Sequence, residues 1–356
     1  MANDGYDFLD QALAPLNDTG PSLVNGFVNH APMVAEALVA MGQGAAALRW
    51  VNAHLRGTMS AEKPTDGLGS FDWADNWQEA LGNSSHDLQW RAFFARELEA
   101  GDWRSVLDLW SLRLAPGLFA AATHGIIRVG HAVRALSVQD TLLRRRELSE
   151  GLALWAVAYQ TLPEDRGHNG PLLSPALALA HVPLLPHEHR QNEGSITTAL
   201  EQIHNVPDFA PVIGMIDLSE NLGDLADAVA SVFAQVFLEQ THSPLSAIVY
   251  THSITTVSAI LNISSHVSEE TLRALLAYGW QAACGLYCAY GLSPYPGPGV
   301  MEGESEKEIA EKAVAHGDDH VIKLSEACLA LYSRTGEQRF LMVPARARAL
   351  LQSDLS

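Results

Sequence analysis

Apolar residues recur at helical spacing along almost the whole chain, and strands and helices never alternate in the way that builds a parallel sheet. Val34 to Met41 reads as a helix, with Pro32 tolerated in its first turn and Gly42 as its stop signal. Ala45 to Leu55 reads as a second helix, ended by Gly57. Leu88 to Leu98 and Trp103 to Leu114 are amphipathic, with Gly101 between them. After Pro116 and Gly117, the stretch Leu118 to Leu136 reads as one long helix, and Glu147 to Leu162 as another. Ile196 to His204 and Gly223 to Gln240 continue the pattern. Pro244 to Ser264 is rich in Val, Ile and Thr, but its length favours a buried helix over a strand. Ser268 to Tyr290, Ser305 to Arg334 with a break near Gly317, and Ala345 to Leu351 complete the series. Residues 58–72 and 291–299 carry the Gly and Pro content of loops. Residues 163–194 mix Pro, His and polar residues, as a long active-site loop or a boundary between two lobes would. The expected fold class is all-α, a single large multi-helix bundle, with two helical lobes around a central metal site as its variant. Residues 1–356 are assigned to that one helical domain.

Composition narrows the function. The chain carries 22 Lys and Arg against 41 Asp and Glu, a formal charge of −19. Such a surface repels phosphate backbones and anionic lipid, so neither nucleic-acid nor membrane partners are expected. No apolar run is expected to reach the roughly 18 residues of a bilayer span. Met1 to Asp10 has no basic segment and no apolar stretch, so no secretory leader is expected and the expected location is cytoplasmic. Three cysteines, Cys284, Cys288 and Cys328, do not make a disulfide framework and suit a reducing compartment.

Histidine is over-used: 15 among 356 residues. Four lie inside or at the ends of apolar helical segments, namely His30, His124, His252 and His320. A lone histidine on an apolar helix is usually a satisfied core residue. Burying several imidazoles costs free energy unless their nitrogens find partners. One metal ion satisfies several at once, and neutral imidazole suits iron, copper, nickel and zinc. His131 follows His124 by seven residues, on the same helical face but roughly 10.5 Å further along the axis. One of the two is therefore a ligand and the other a supporting or structural residue. Arg128 shares that stripe, either to hold an anionic substrate or to form an ordinary ion pair. Lys323 is three residues from His320. It reads as a surface lysine, or as a desolvated amine able to add carbon dioxide and become an anionic carbamate ligand. Glu36, Glu326 and Asp319 are alternative carboxylate ligands. His187, Glu188 and His189, and His316 four residues before His320, are weaker metal candidates.

The segments His30 to Leu38, Thr123 to Leu136, His252 with Thr255, and Asp319 to Lys323 together resemble the questin oxidase-like family, across most of the chain. The Thr123 to Leu136 block is the most specific. The resemblance implies an all-helical oxidoreductase of secondary metabolism that cleaves or oxygenates rings of aromatic or quinone polyketides with O₂, by Baeyer–Villiger-like or dioxygenase chemistry. It also implies non-haem Fe(II) held by His30, His124, His252, His320 and a carboxylated Lys323. His131 and Arg128 are the expected catalytic residues, orienting a phenolate or ketone oxygen. Some relatives use NADPH; no dinucleotide fingerprint occurs in this sequence to hold it tightly. The rival readings are a metal-dependent hydrolase using the same histidines and a non-enzymatic helical binding protein.

Overall fold

A computed structural model describes residues 6–23, 27–55, 58–60, 76–165, 167, 170–186, 188, 190, 196–292 and 303–353. Fifteen α-helices, short 3₁₀ turns and one two-stranded ribbon form the regular structure among these residues, so the fold is all-α. The chain divides into two compact units. The first comprises residues 1–160 with 262–271, and the second 161–261 with 272–356.

The first unit begins with α1 (Leu9–Leu13) and β1 (Thr19–Leu23), followed by α2 (Ala31–Ala40), α3 (Gly44–His54) and β2 (Thr58–Ser60). The two strands pair antiparallel, with Thr19 opposite Ser60 and Leu23 opposite Thr58. Four longer helices follow: α4 (Asp87–Ala100), α5 (Trp103–Leu114), α6 (His124–Val138) and α7 (Leu142–Val157). Local chemistry sets several starts: Asp102 caps α5 by accepting from Ser105, and Thr141 caps α7 by accepting from Arg144. Trp90, Phe94 and Trp110 stack edge and face between α4 and α5, all fully buried. The α6 and α7 helices pack closely because glycines face the contact. A Cβ on Gly125 would lie 2.7 Å from the Trp155 Cβ, and one on Gly151 would lie 3.0 Å from a Val129 methyl. Arg144 ties the helices to the N-terminal segment through Asp10 at 2.7 Å and the carbonyls of Ala135 at 3.0 Å and Tyr6 at 3.0 Å.

Sequence expectations are corrected in this unit: the helix expected over Glu147 to Leu162 runs from Leu142 to Val157, and a longer one is interrupted. The stretch Leu118 to Leu136 is not one helix; α6 starts only at His124. Ala121, Ala122 and Thr123 take consecutive left-handed conformations, with φ of 49°, 55° and 69°. L-residues pay about 1–2 kcal/mol each in that region, and side-chain periodicity carries no trace of it.

The second unit contains α8 (Pro175–Leu179), α9 (Ile196–Glu201) and α10 (Leu222–Gln240). It also holds most of α11 (Pro244–Ile263) and α12 (Glu269–Tyr290), whose adjoining ends group with the first unit. α13 (Glu306–His316), α14 (Asp319–Thr335) and α15 (Arg339–Leu350) close the chain, with α14 and α15 packed on each other and on α10. A capping box of Ser305 and Glu308 opens α13. Gly317, at φ 82°, ends it, and Asp318 starts α14 by accepting from Val321 at 2.9 Å. The break expected near Gly317 is therefore real.

The segment Pro244–His266, α11 with the turn after it, is 23 residues long and by length and composition apolar enough to cross a membrane. The absence of such a segment, expected from the sequence, is therefore corrected: Ser, Thr and His interrupt the apolar run without lowering its average enough. In this structure 78% of its most apolar stretch is buried inside the protein.

Candidate metal centre

In the first unit, two histidines from distant segments meet. His30 stands at the N-cap of α2 and His124 at the first position of α6. Their rings stack with centroids 4.6 Å apart, and their Nε2 atoms are 2.7 Å apart. Both are buried. The segment before α2 is fixed by Asn29, whose amide donates to the Gly20 carbonyl at 3.2 Å and accepts from the Ala31 N–H at 3.1 Å. On the other side, the left-handed turn brings the Ala121 carbonyl to 2.5 Å from His124 Nδ1. A carbonyl only accepts, so Nδ1 carries a hydrogen, and in the neutral ring Nε2 carries the lone pair that faces His30. Two nitrogens at right angles about a metal, each about 2.1 Å from it, stand about 3 Å apart. The observed spacing is a few tenths of an ångström short of that.

The second unit repeats this logic. His252, in the middle of α11 and buried, sends Nδ1 to the Ile248 carbonyl at 2.7 Å. His320, in the first turn of α14, sends Nδ1 to the Asp319 carboxylate at 2.6 Å. The His252 and His320 rings meet edge to face at 5.7 Å. In all three histidines the Nδ1–H is committed to an oxygen and Nε2 is the nitrogen left able to ligate, the arrangement that orients most metal-binding imidazoles. The ligand atoms of Asp318, Asp319 and His320 lie within 4.8 Å of one another.

Lys323 follows His320 by one turn and is buried. Burial lowers its amine to about 8, against the opposing pull of Asp319 and Asp318. About a tenth of the amine is then neutral at pH 7, far more than for an ordinary lysine. The surface-lysine alternative does not hold, because the side chain is only 2% exposed.

His131 and Arg128 sit elsewhere on α6. His131 Nδ1 meets Glu36 Oε2 at 2.7 Å, and Arg128 pairs with Glu147 at 2.8 Å. Glu36, on α2, also receives Arg134 Nε at 2.8 Å and the Tyr6 hydroxyl at 2.6 Å. Burial alone would raise the Glu36 carboxyl, but Arg134 and His131 outweigh it and hold it at about 2. The network ties α2 to α6, the two helices that begin at His30 and His124. Arg128, His131 and Glu36 line a cavity of about 10 Å³ for water-sized spheres, room for about one water.

The other candidates separate. His316 ends α13, and its Nε2 lies 3.2 Å from the Leu351 carbonyl. Cys284, Cys288 and Cys328 are buried free thiols, and burial raises all three. His187 and His189 lie outside the described residues, as does most of 291–299. Sequence reasoning missed Tyr6 and Arg134. Arg134 is three residues beyond His131, a spacing that could have flagged it. Nothing in the sequence marks Tyr6 or the carbonyls of Ala121 and Ile248.

Comparison with known proteins adds one match. The family model described as questin oxidase-like aligns with residues 27–328, most of the chain and all of the histidines above. No curated protein matches the chain.

Proposed function

The chain belongs to the questin oxidase-like family, and from that premise we propose that it is an iron-dependent oxygenase acting on a ring of an aromatic or quinone polyketide-like substrate. Membership points to an oxidoreductase of that substrate class. The observation that carries the metal assignment is the shared tautomer of His124, His252 and His320, each with Nδ1 held by a protein oxygen.

In this reading His30, His124, His252 and His320 hold one ion through Nε2. Lys323, as its carbamate, supplies the anionic oxygen that four neutral imidazoles lack. The donor set fits: imidazole and carboxylate-type oxygen suit iron, and the buried lysine is depressed enough to react with carbon dioxide. Fe(II) bound there supplies the activation of O₂, which amino-acid side chains do not provide.

The chain's own residues then do three things. The backbone carbonyls of Ala121 and Ile248 and the Asp319 carboxylate hold hydrogens on Nδ1, which fixes the ring orientation and leaves Nε2 as the nitrogen to face the ion. The Glu36, His131 and Arg134 network fixes α2 against α6. Apolar neighbours on α11, such as Val249 and Ile254, keep water from the ligands. We assign His131 and Arg128 as positioning residues, because each is engaged by a carboxylate beside a cavity that admits about one water.

The test is turnover of a hydroxylated anthraquinone with and without oxygen. Oxygen consumption matching product formation, abolished by a chelator and restored by Fe(II), supports the reading. Turnover under argon with water addition would replace it with metal-dependent hydrolysis.

A further inference from the structure

A second cavity lies wholly within the second unit, at the N-terminal end of α11. It is open on one side and holds about 230 Å³, and Arg190, Gln202, His242, Leu245, Tyr290 and Leu292 are among its lining residues. Ser243 begins the approach to α11 and His252 lies about two helical turns beyond, so the cavity is about 12 Å along the helix from that proposed ligand.

The wall carries one full positive charge. Arg190 is anchored by carbonyls: Nε donates to Leu185 at 2.9 Å and Nη2 to Gly291 at 2.6 Å. Among the described residues no carboxylate pairs with it and no Asp or Glu lines the cavity, although the chain carries 41 of them. Among the described residues nothing accepts from Nη1, whose two hydrogens suit a ligand. The Ser243 and Ser246 hydroxyls are consumed by the helix start. Burial raises the Tyr290 hydroxyl, so it stays protonated and able to donate. His242 commits Nδ1 to the Gln240 carbonyl at 2.9 Å. The walls hold their places: Leu185 N–H donates to the Cys288 carbonyl and Leu292 N–H to Gln240 Oε1, each at 2.8 Å. Leu185, Ala199, Leu245, Ala289 and Leu292 supply apolar surface around these donors.

A guanidinium edge with no acidic partner among the described residues, beside a phenolic donor and leucine and alanine side chains, suits a carboxylate on a small apolar body. We propose that this cavity is a binding site for a small aromatic or aliphatic carboxylate, separate from the metal centre. The guanidinium takes the carboxylate, Tyr290 donates to it, and the leucines cover the body.

The probe is benzoate, titrated calorimetrically into the full-length protein, with benzamide and inorganic phosphate as comparisons. The expected result is saturable benzoate binding. Benzamide should bind about tenfold or more weakly, since it lacks the charge. Arg190→Gln should weaken benzoate by a similar factor, and Leu245→Trp should block it by filling the cavity. His124→Ala should bind benzoate as the wild type does, which separates this site from the proposed metal centre. Thermal melts identify any variant that fails to fold, and Leu245→Trp then decides in place of Arg190→Gln. The proposal is overturned if the wild type does not bind benzoate, if benzamide binds equally, or if folded variants bind unchanged. Phosphate binding as tight as benzoate, and dependent on Arg190, would overturn the carboxylate assignment.

Discussion

The Nε2 atoms of His30 and His124 stand 2.7 Å apart, although 94 positions separate the two residues in sequence. Two local devices deliver them: the Asn29 bracket before α2 and the left-handed turn before α6. The second stores backbone strain next to a candidate ligand, as strained segments at functional sites often do.

That strain is measurable. Ala122 is at φ 55° and is buried. Ala122→Gly should raise stability by up to about 1 kcal/mol, because relief of the left-handed penalty exceeds the entropic cost of glycine. Denaturant melts of the metal-free protein check this, and a loss of stability would show that the turn is not strained as described.

Gly125→Ala should act in the opposite direction. The added Cβ would sit 2.7 Å from the Trp155 Cβ, within one residue of His124. Overpacking of this kind costs about 1–3 kcal/mol. Metal content should fall along with melting temperature, and a variant of unchanged stability would contradict the close α6–α7 contact.

Glu36 predicts an acid limb. Its carboxyl is held at about 2 from an ordinary 4.5, so its stabilisation is complete above about pH 4.5 and fades as pH falls towards 2. The full effect is on the order of 3 kcal/mol. Glu36→Gln should lower stability at neutral pH and flatten the acid limb. Wild-type and variant curves that stay parallel from neutral pH to about pH 2 would refute this account of Glu36.

Lys323 predicts an alkaline limb in the metal-free protein. Its folded value is about 8 against an ordinary 10.5, so between those values the unfolded chain holds a proton that the folded chain lacks. Stability should therefore rise with pH across that window, by up to about 3 kcal/mol. Lys323→Met should be more stable than the wild type at neutral pH, with the gap closing towards pH 10.5. A gap independent of pH would mean that the amine is not desolvated. With the metal present, labelled bicarbonate should appear as a carbamate on the wild type and not on this variant.

Much of the helical framework was legible because burial is written as periodicity. Trp103 to Leu114 matches α5 at both ends, and Gly317 marks the break before α14 by its left-handed preference. The start of α6 was hidden, because Ala121, Ala122 and Thr123 take a conformation their side chains do not favour. The strands at Thr19 and Thr58 were also hidden: two short strands make too few alternations to read as a period. His30, His124, His252 and His320 stood out as polar residues on apolar segments. Their tautomers did not, because these depend on the backbone carbonyls of Ala121 and Ile248 and on the Asp319 side chain. The Arg190 cavity had no sequence signal, since its walls come from segments far apart in the chain.

Elemental analysis of the protein purified without chelators, beside its four single histidine-to-alanine variants, tests the account most directly. One iron per wild-type chain is expected, with occupancy lost in His30→Ala, His124→Ala, His252→Ala and His320→Ala alike. Full occupancy retained by the His252 and His320 variants while the His30 and His124 variants lose it, or the reverse, would contradict a single ion shared by all four imidazoles.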